Sequence, residues 1–444
     1  MLHSHEALDP AGGYARAGLL APLRDRDFRL LWSGMCISLL GDGAFLVALA
    51  WQVYALSDAA TAMSLVGIAM TVPTIVFLLV GGVASDRLDR RRIMLAADLV
   101  RGAAVGLLAL LSLAGTLELW HIVGLVVFYG GGAAFFAPAF DAIVPELLPA
   151  ERLGQANALD QVVRPVALRL AGPALGGVVV GAFGAGTAFA LDAATFLVSA
   201  AALLAMRPRS ARSATAEASL RGDLREAWRF VRRRSWLWAT FGSAAIAYLL
   251  FMGPVEVLLP LLVKHELHGT ATELGLVFAA GGLGSAACAV VLGQRGLPRR
   301  DITFMYVVWT LATLAVAGYG LSASVWQLML ACMVFNGLET AGTIVWATAK
   351  QRHVPPDMLG RVSSLDWLIS IGLLPLSFAL TGPVSGAIGV RATLVGAGVL
   401  GAAVTFGALF IRGVRSVEGG RPTGPVAPAA TLHDAQPVVA STPS

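Results

Sequence analysis

Two carboxylates lie near the middle of long apolar stretches of this chain. Asp42 stands in LLGDGAFLVALAW at 39–51, and Glu339 follows ACMVFNGL at 331–338. An ionisable side chain in so apolar a stretch is costly, so each is a candidate functional residue by default. A carboxyl group in such a place can load and release a proton, or it can pair internally and hold helices together.

Other charged residues interrupt apolar stretches in the same way. Arg169 is a candidate partner, in particular for Asp42, or a contact for an anionic ligand. Glu256 and Asp192 fall towards the end and the start of their stretches, where they either serve a gate or reach water. Two further pairs favour a structural role, because their spacing puts both members on one helix face: Asp98 with Arg101, and Asp160 with Arg164.

A dense run of charge follows a stretch without any. Residues 81–92 read GGVASDRLDRRR, whereas residues 59–85 contain no charged side chain. Gly82 would let its helix approach a neighbour closely. The arginines can pair with Asp86, Asp89 or Glu146 and form an ionic latch; the alternative is a basic anchor with a turn. The corresponding segment of the second half, GQRGLPRRD at 293–301, lacks the Asp-Arg pair, so we expect a one-sided latch.

The elements that position these residues are predicted by composition. Hydrophobic residues make up 57% of the 444 positions and charged residues 13%, about half the charged share of a soluble domain. A bilayer core of about 30 Å requires about 20 apolar residues of helix. Twelve stretches qualify, which predicts an all-α membrane protein with spans at 29–55, 62–85, 93–114, 119–141, 160–183, 187–206, 236–263, 271–293, 302–321, 325–349, 361–387 and 391–411.

The basic residues predict the orientation of these spans. Most of the 32 Lys and Arg fall in the N-terminal tail and the even-numbered loops, which predicts that both termini are cytoplasmic. The first 27 residues lack the apolar core of a signal peptide, so no cleavage is expected. The net charge of +5 fits an inner face against anionic lipid and requires no nucleic-acid partner.

The chain divides into two sets of six spans. We expect a cytoplasmic tail at 1–27, bundles at 28–206 and 236–411, a linker at 207–235 and a disordered tail at 412–444. The linker contains LREAWRFVRRR, which predicts an amphipathic helix lying on the inner leaflet, or else a solvated basic segment. Residues 149–160 and 355–366 match at Pro, Leu-Gly and Leu-Asp with an offset of 206, which indicates duplicated, pseudo-symmetric halves.

The charged run resembles the loop signature Gly-x-x-x-Asp-Arg-x-Gly-Arg-Arg of the major facilitator superfamily. It is matched by Gly82, Asp86, Arg87, Arg90 and Arg91, while Asp89 replaces the second glycine. With PLRDRDFRLLW at 22–32 and FFAPAFDAIVPELLPAERLGQANAL at 135–159, the chain is similar to the branch that contains bacterial macrolide, multidrug and enterobactin exporters. The resemblance implies that Asp42 and Glu339 line a central cavity and that Asp86 faces the start of helix 11 near Arg361.

A second motif is similar to the helix-5 pattern of antiporters in that superfamily. GPALGG supplies Gly172, Pro173, Gly176 and Gly177, although Leu168 stands where the pattern begins with glycine. Gly382 and Pro383 correspond to it in the second half, and such residues allow close packing and bending. Helix 4 lacks the arginine that many drug/proton antiporters of the superfamily have, so their usual route of proton coupling is not indicated.

Several function classes are disfavoured by missing residues. The two lysines, Lys264 and Lys350, are not in a phosphate-binding loop, so no ATP hydrolysis by that motif is expected. His265, Glu266 and His268 form a short H-E-x-H in an outer loop, where solvation is favoured over a metal site. These absences indicate neither an enzyme nor a cofactor. The resemblance implies a secondary exporter of small amphipathic molecules in the bacterial cytoplasmic membrane, for which we expect proton coupling. The alternatives are an uptake carrier of the same fold and a non-transporting membrane sensor or enzyme.

Overall fold

The computed structural model describes residues 20–207 and 220–418, and within these ranges it is helical with no strands. Twelve helices are long and apolar enough to cross a membrane, and each overlaps one predicted span. They are α1 Arg26–Leu56, α2 Ala60–Arg87, α3 Arg90–Leu113, α4 Leu119–Leu147, α5 Ala150–Pro165 with a π-helical turn Val166–Ala171 and Gly172–Phe183, α6 Ala185–Ala205, α7 Ser235–Leu261 with a π-helical end Leu262–Glu266, α8 Ala271–Arg295, α9 Asp301–Leu321, α10 Val325–His353, α11 Pro356–Gly372 with Leu374–Ile388, and α12 Val390–Ala408.

Successive helices run in opposite directions because the connections between them are short. The start of α1 and the α2–α3, α4–α5, α8–α9 and α10–α11 connections therefore share one face, named here the basic face. The α1–α2, α5–α6, α7–α8 and α11–α12 connections lie on the opposite face, named the far face.

The helices form two bundles with the same packing scheme. In the first half α6 packs on α1 and α3, and α4 packs on α2 and α3; in the second half α12 packs on α7 and α9, and α10 packs on α8 and α9. The halves meet where α5 lies against α8 and α11 against α2. The bounds of α4 and α10 differ by 206 residues at both ends, which is the offset of the sequence repeat. This is the pseudo-symmetric major facilitator fold.

The linker contains the predicted helix, at Leu220–Arg232, but the helix packs on protein. Ala227 and Val231 are fully buried in a cluster with Trp236 and Met358, while Trp228 is exposed. Glu226 pairs with Arg361 Nη1 at 2.7 Å. The prediction that its apolar face lies on the leaflet is therefore wrong for Ala227 and Val231, because the starts of α7 and α11 bury them. Residues 208–219 lie outside the described part.

The chain remains packed beyond residue 412, where the sequence predicts that the C-terminal tail begins. Val414 and Val417 are buried beneath α7 in a short 3-10 turn, and Thr303 N donates to Glu418 Oε1 at 3.0 Å. Residues 412–418 are thus packed rather than disordered. Residues 1–19 and 419–444 lie outside the described part.

Candidate functional site

A buried cluster of charged side chains lies inside the first bundle. Asp42 of α1 accepts a hydrogen bond from the Tyr129 hydroxyl of α4 at 2.7 Å. Its second carboxylate oxygen lies 3.8 Å from Nη1 of Arg101 on α3. Asp42 is 7% exposed and Arg101 5%, so both are nearly removed from solvent. Three helices that are distant in sequence therefore converge on one carboxyl group.

The partner of Arg101 on its own helix is Asp98. Arg101 Nη2 donates to Asp98 Oδ1 at 2.5 Å, and Ser199 Oγ of α6 donates to Asp98 Oδ2 at 2.6 Å. The intrahelical pair has the predicted geometry, but Arg101 also extends to Asp42. The structure places Arg101, not Arg169, beside Asp42.

A third carboxyl group completes the cluster. Asp192 of α6 is fully buried, and Thr195 Oγ1 donates to its Oδ1 at 3.3 Å. Its Oδ2 has no hydrogen-bond partner. The prediction that Asp192 reaches water is wrong, because α6 turns it into the bundle, where the charge of Asp42 acts on it.

Two glycines and two aromatic rings make room for this cluster. A β-carbon at Gly132 would lie 2.6 Å from Cγ of Arg101, and one at Gly41 would meet Asp192. The Arg101 guanidinium lies between the rings of Phe136 and Phe196, 4.8 and 4.5 Å from their centroids. The rings exclude water while still attracting the cation. These glycines on α1 and α4 were the sequence signal that a large side chain packs there.

Arg169 and two carboxylates lie outside that cluster. Arg169 is exposed on the π-helical turn of α5, a kind of irregularity often found at functional sites. Glu256 of α7, in the other half, is also exposed, and the positive charge of Arg169 acts on its carboxylate. Glu339 of α10 is half-buried and accepts a hydrogen bond from Thr343 Oγ1 at 2.9 Å. Arg169 and Glu256 are thus charged groups of opposite sign that act on each other across the two halves.

The signature segment is organised within the first half. Arg90 Nη1 bonds the Ala142 carbonyl and pairs with Glu146, and Arg91 donates to the carbonyls of Leu203 and Leu204 at 2.6 and 2.8 Å. These arginines therefore tie the basic-face ends of α4 and α6 to the start of α3.

The remaining signature residues have separate places. Asp89 caps α3, since its Oδ1 accepts from Arg92 N at 3.3 Å. No described atom lies within 4 Å of a β-carbon at Gly82, whereas one at Gly81 would meet the Ala134 backbone. The prediction that Gly82 makes the close approach is therefore wrong, because Gly81 makes it instead. The side chains of Asp86 and Arg87 lie outside the described part.

The glycine motif forms both the packing of α5 on α1 and the contact between halves. A β-carbon at Gly172 would lie 2.8 Å from Gly43 Cα, and one at Gly176 would lie 2.6 Å from Ala44 Cα; Pro173 is buried beside them. Across the halves, a β-carbon at Gly177 would lie 2.8 Å from Gly275 Cα, and one at Gly382 would lie 2.9 Å from Thr61 Cα. Pro383 follows within α11.

Polar contacts between the halves also lie towards the far face. Among described residues these contacts are Tyr54 OH to the Val257 carbonyl at 2.6 Å, Lys264 Nζ to the Trp51 carbonyl at 3.4 Å, Thr272 Oγ1 to the Gly177 carbonyl at 3.1 Å, and His265 with Asp58 at 3.5 Å. The structure is therefore closed at the far face.

The short H-E-x-H segment does not form a metal site. His265 faces Asp58 of α2's preceding loop, and Glu266 pairs with Arg391 Nε of α12 at 2.6 Å. Within the described ranges no group of three or more His, Cys, Asp and Glu side chains could hold a metal ion.

Comparison with known proteins identifies the family. A family model described as transmembrane secretion effector matches residues 17–419. Macrolide efflux protein A of Streptococcus pyogenes is 22% identical over 395 residues, 88% of this chain and 97% of the relative. The multidrug efflux pump Tap of Mycolicibacterium fortuitum is 29% identical over 80% of this chain and 88% of the relative. The enterobactin exporter EntS of Citrobacter koseri is 29% identical over 76% and 80%.

A solved structure supports the fold independently. A bacterial homologue of the iron transporter ferroportin, in an inward-facing state, superposes with a TM-score of 0.65 at 17% identity, covering 87% of this chain and 99% of that one. These similarities are to transporters rather than enzymes. The chain belongs to the transmembrane secretion effector family of the major facilitator superfamily, and it is a multi-pass membrane transporter of the efflux type.

Proposed function

We propose that this chain is a proton-coupled exporter of small amphipathic molecules that works by alternating access in the bacterial cytoplasmic membrane. The concentration of Lys and Arg at the basic face supports a cytoplasmic location for that face and for both termini. The bundles at 28–206 and 236–411 would then rock about the contacts between them.

The observation that carries proton coupling is the charge balance of the buried cluster. Asp42 and Asp98 contact the single guanidinium of Arg101, and the charge of Arg101 also acts on Asp192, in a nearly solvent-free site. With all four groups ionised the cluster has an excess of two negative charges, which is costly where water cannot solvate them. Binding of a proton reduces that excess, so the cluster is suited to load a proton and to release it when the surroundings open.

Asp42 is the proposed exchange group within the cluster. It lies on α1, it has the greatest exposure of the three carboxyl groups, and Tyr129 alone among the described residues donates a hydrogen bond to it. Asp98 is held by Arg101 and Ser199 together. This division assigns Asp98 to holding the guanidinium and Asp42 to exchanging the proton.

The substrate path is proposed to include Arg169, Glu256 and Glu339. These residues supply one positive group from the first half and two negative groups from the second, and the charge of Arg169 acts on Glu256. Mixed charge among apolar helices suits molecules that have both an apolar body and an ionised group. The names of the relatives, which include a macrolide, a multidrug and an enterobactin exporter, support the same broad class.

The closed far face supports an inward-open state of the proposed cycle. Export then requires the Gly177–Gly275 and Gly382–Thr61 contacts to separate while the basic face closes. The proposed latch at the basic face comprises Gly82, Asp86, Arg87, Asp89, Arg90 and Arg91. Arg90 and Arg91 already hold α3, α4 and α6 together, so the first half can move as one body.

The test is transport by purified protein in proteoliposomes of known orientation. A panel of dyes, macrolides and catecholate siderophores is offered with an imposed pH gradient, and an internal pH indicator reports proton movement. Intact protein is compared with Asp42→Asn and with Glu118→Gln, which neutralises an exposed carboxylate far from the cluster. Coupled export predicts gradient-driven transport for intact protein and Glu118→Gln, and none for Asp42→Asn.

Two outcomes contradict the proposal. If Asp42→Asn still transports a compound with unchanged proton movement, the buried cluster has no part in proton coupling. Gradient-driven movement only towards the basic face would indicate an uptake carrier instead.

A further inference from the structure

Asp192 is the carboxyl group of the buried cluster that has the poorest set of partners among the described residues. Its side chain is fully buried, and its Oδ2 has no hydrogen-bond partner. The Thr195 hydroxyl oxygen lies 3.3 Å from Asp192 Oδ1 but 2.7 Å from the Asp192 main-chain carbonyl. A hydroxyl group has a single hydrogen, and the shorter distance is the ordinary one for an O–H···O bond. The main-chain carbonyl therefore receives most of that bond, and the carboxyl group is left with a weak contact.

The surroundings of Asp192 are apolar and closely packed. Phe189 and Phe196 lie three residues before it and four residues after it, on the same face of α6, and both are fully buried. A β-carbon at Gly41 of α1 would overlap Asp192 Oδ1 and Thr195 Oγ1, so the backbone of α1 closes over the carboxyl group. An ionised carboxylate in such a place would lack the hydrogen bonds and the solvent that normally stabilise it.

The neighbouring charges do not compensate for this. Asp42 of α1 and Arg101 of α3 act on Asp192 in opposite senses. Arg101 donates to Asp98 at 2.5 Å and lies 3.8 Å from Asp42, and within the described ranges it forms no ion pair with Asp192. Tyr129 of α4, on which Asp192 also acts, gives its hydroxyl hydrogen to Asp42. An ionised Asp192 would therefore add a like charge near Asp42 without a cation of its own.

Neutralising the whole cluster requires two protons, because three carboxylates face one guanidinium. Asp98 is stabilised as a carboxylate, since its two oxygens accept from Arg101 and Ser199 at 2.5 and 2.6 Å. One proton on Asp42, the proposed exchange group, removes half of the excess charge. The second proton then belongs on Asp192.

Asp192 is also placed towards the far face of the cluster. Helix α6 begins at the far face, and Ser199, which bonds Asp98, follows Asp192 by seven residues, or about 10 Å along the helix axis. Helical side chains point back towards the N-terminus. This direction carries the Asp192 carboxyl group towards the far face, whereas it carries that of Asp42 towards the basic face, where α1 begins.

The second half shows that helix packing does not require a carboxyl group at this position. Helices α6 and α12 each follow a glycine with positive φ, Gly184 at 83° and Gly389 at 88°. That offset of 205 residues aligns Asp192 with Ala397, which is buried in the apolar core of the second half. The position therefore suits a side chain without charge.

We propose that Asp192 is a proton-relay residue, which holds a proton as a neutral carboxylic acid while the far face is closed. Its acid O–H can donate from Oδ1 to the Thr195 oxygen, which reverses the longer of the two contacts. When the far face opens, the proton passes from Asp192 to the Asp42 carboxylate, and Asp192 takes another proton from the far-side solution. Asp192 thus ends each cycle protonated, and one proton is exchanged at Asp42. The relay rests on the proposed coupling, whereas the proton on Asp192 does not.

The proton on Asp192 can be detected without transport. Infrared spectroscopy of the full-length protein in nanodiscs reports the C=O stretching band of a protonated carboxyl group. We expect a component of this band at neutral pH that disappears in Asp192→Asn and remains in Asp98→Asn. The melting temperature of Asp192→Asn should stay close to that of the parent, because an uncharged amide replaces an uncharged acid. A band that Asp192→Asn leaves unchanged, or that the parent lacks, would overturn the proposal.

The relay is tested by the rate at which Asp42 is loaded from the far side. Sealed proteoliposomes with the far face outwards receive an external acid pulse, and the C=O band that Asp42→Asn removes is followed in time. Asp192→Asn should slow its appearance about tenfold, whereas Glu118→Gln should not change it. Equal rates in the parent and Asp192→Asn would reject the relay. If the Asp42 band does not respond to acid at all, the proposed coupling fails, while the infrared result still decides whether Asp192 holds a proton.

Discussion

The two halves share one helical frame but differ in what they bury. Phe45 stacks on Tyr129 with centroids 4.6 Å apart, and Phe251 meets Phe335 at 5.7 Å; both pairs have the offset of 206. The Tyr129 hydroxyl reaches Asp42, whereas Phe335 has no hydroxyl. The same aromatic contact therefore supports a charged cluster in one half and an apolar core in the other.

This difference indicates that the packing of the helices does not depend on a buried charged cluster. The second half packs α7, α9, α10 and α12 around residues such as Tyr319, Leu328 and Leu394, and among its described residues no arginine lies between carboxylates there. Burying the charged cluster of the first half costs free energy that the helical packing does not require. The cluster is therefore better explained by the proposed proton coupling than by folding.

The largest effect should come from removing the cation of the cluster. Arg101→Met leaves three buried carboxyl groups without a counter-charge and should destabilise the protein by about 3–5 kcal/mol. Thermal unfolding of purified protein measures this. Lys350→Met is the matched variant, because Asp366 keeps the Trp346 indole donor at 2.8 Å; its loss should be smaller. Equal losses of stability in the two variants would contradict the proposed difference between the halves.

A side chain at the far-face contact should have the next largest effect. Gly177→Val places atoms where Gly275 Cα now lies, so the halves can no longer meet there. Cross-linking of a Cys pair introduced at positions 58 and 265 should fall several-fold. Gly386→Val, at a site with no described atom within 4 Å of a β-carbon, is the control; a similar fall there would show that helix strain, not contact, is responsible.

Exchanging the aromatic residues between halves should have moderate effects. Tyr129→Phe removes one hydrogen bond from Asp42 and should cost about 1–1.5 kcal/mol of stability. Phe335→Tyr buries a hydroxyl among apolar residues and should cost about 1–3 kcal/mol. Denaturation of the two variants side by side tests this. If Tyr129→Phe leaves the stability unchanged, Asp42 is held by Arg101 alone.

The smallest effect should come from the linker. Glu226→Gln removes an exposed ion pair with Arg361, and such pairs contribute about 0–1 kcal/mol and weaken in salt. The melting temperature should therefore change little, and less in high salt. A large change would show that the ion pair, rather than burial of Ala227 and Val231, holds the linker helix.

The fold could be predicted from sequence because apolar length and basic loops are local properties. The twelve spans and the 206-residue repeat required no knowledge of contacts. The partners of Asp42 were not predictable in that way, since Arg101 and Tyr129 come from other helices and their rotation depends on packing. Asp192 was misplaced because position along a helix indicates depth but not the direction that a side chain faces.

The burial of the linker helix also determines where the polypeptide can be divided. Ala227 and Val231 complete the core formed by Trp236 and Met358, so a second fragment that began after Arg234 would expose that core. A gene split between codons 207 and 220 would instead leave the helix attached to the half it stabilises. Co-expression of 1–219 with 220–444 should therefore reassemble the transporter.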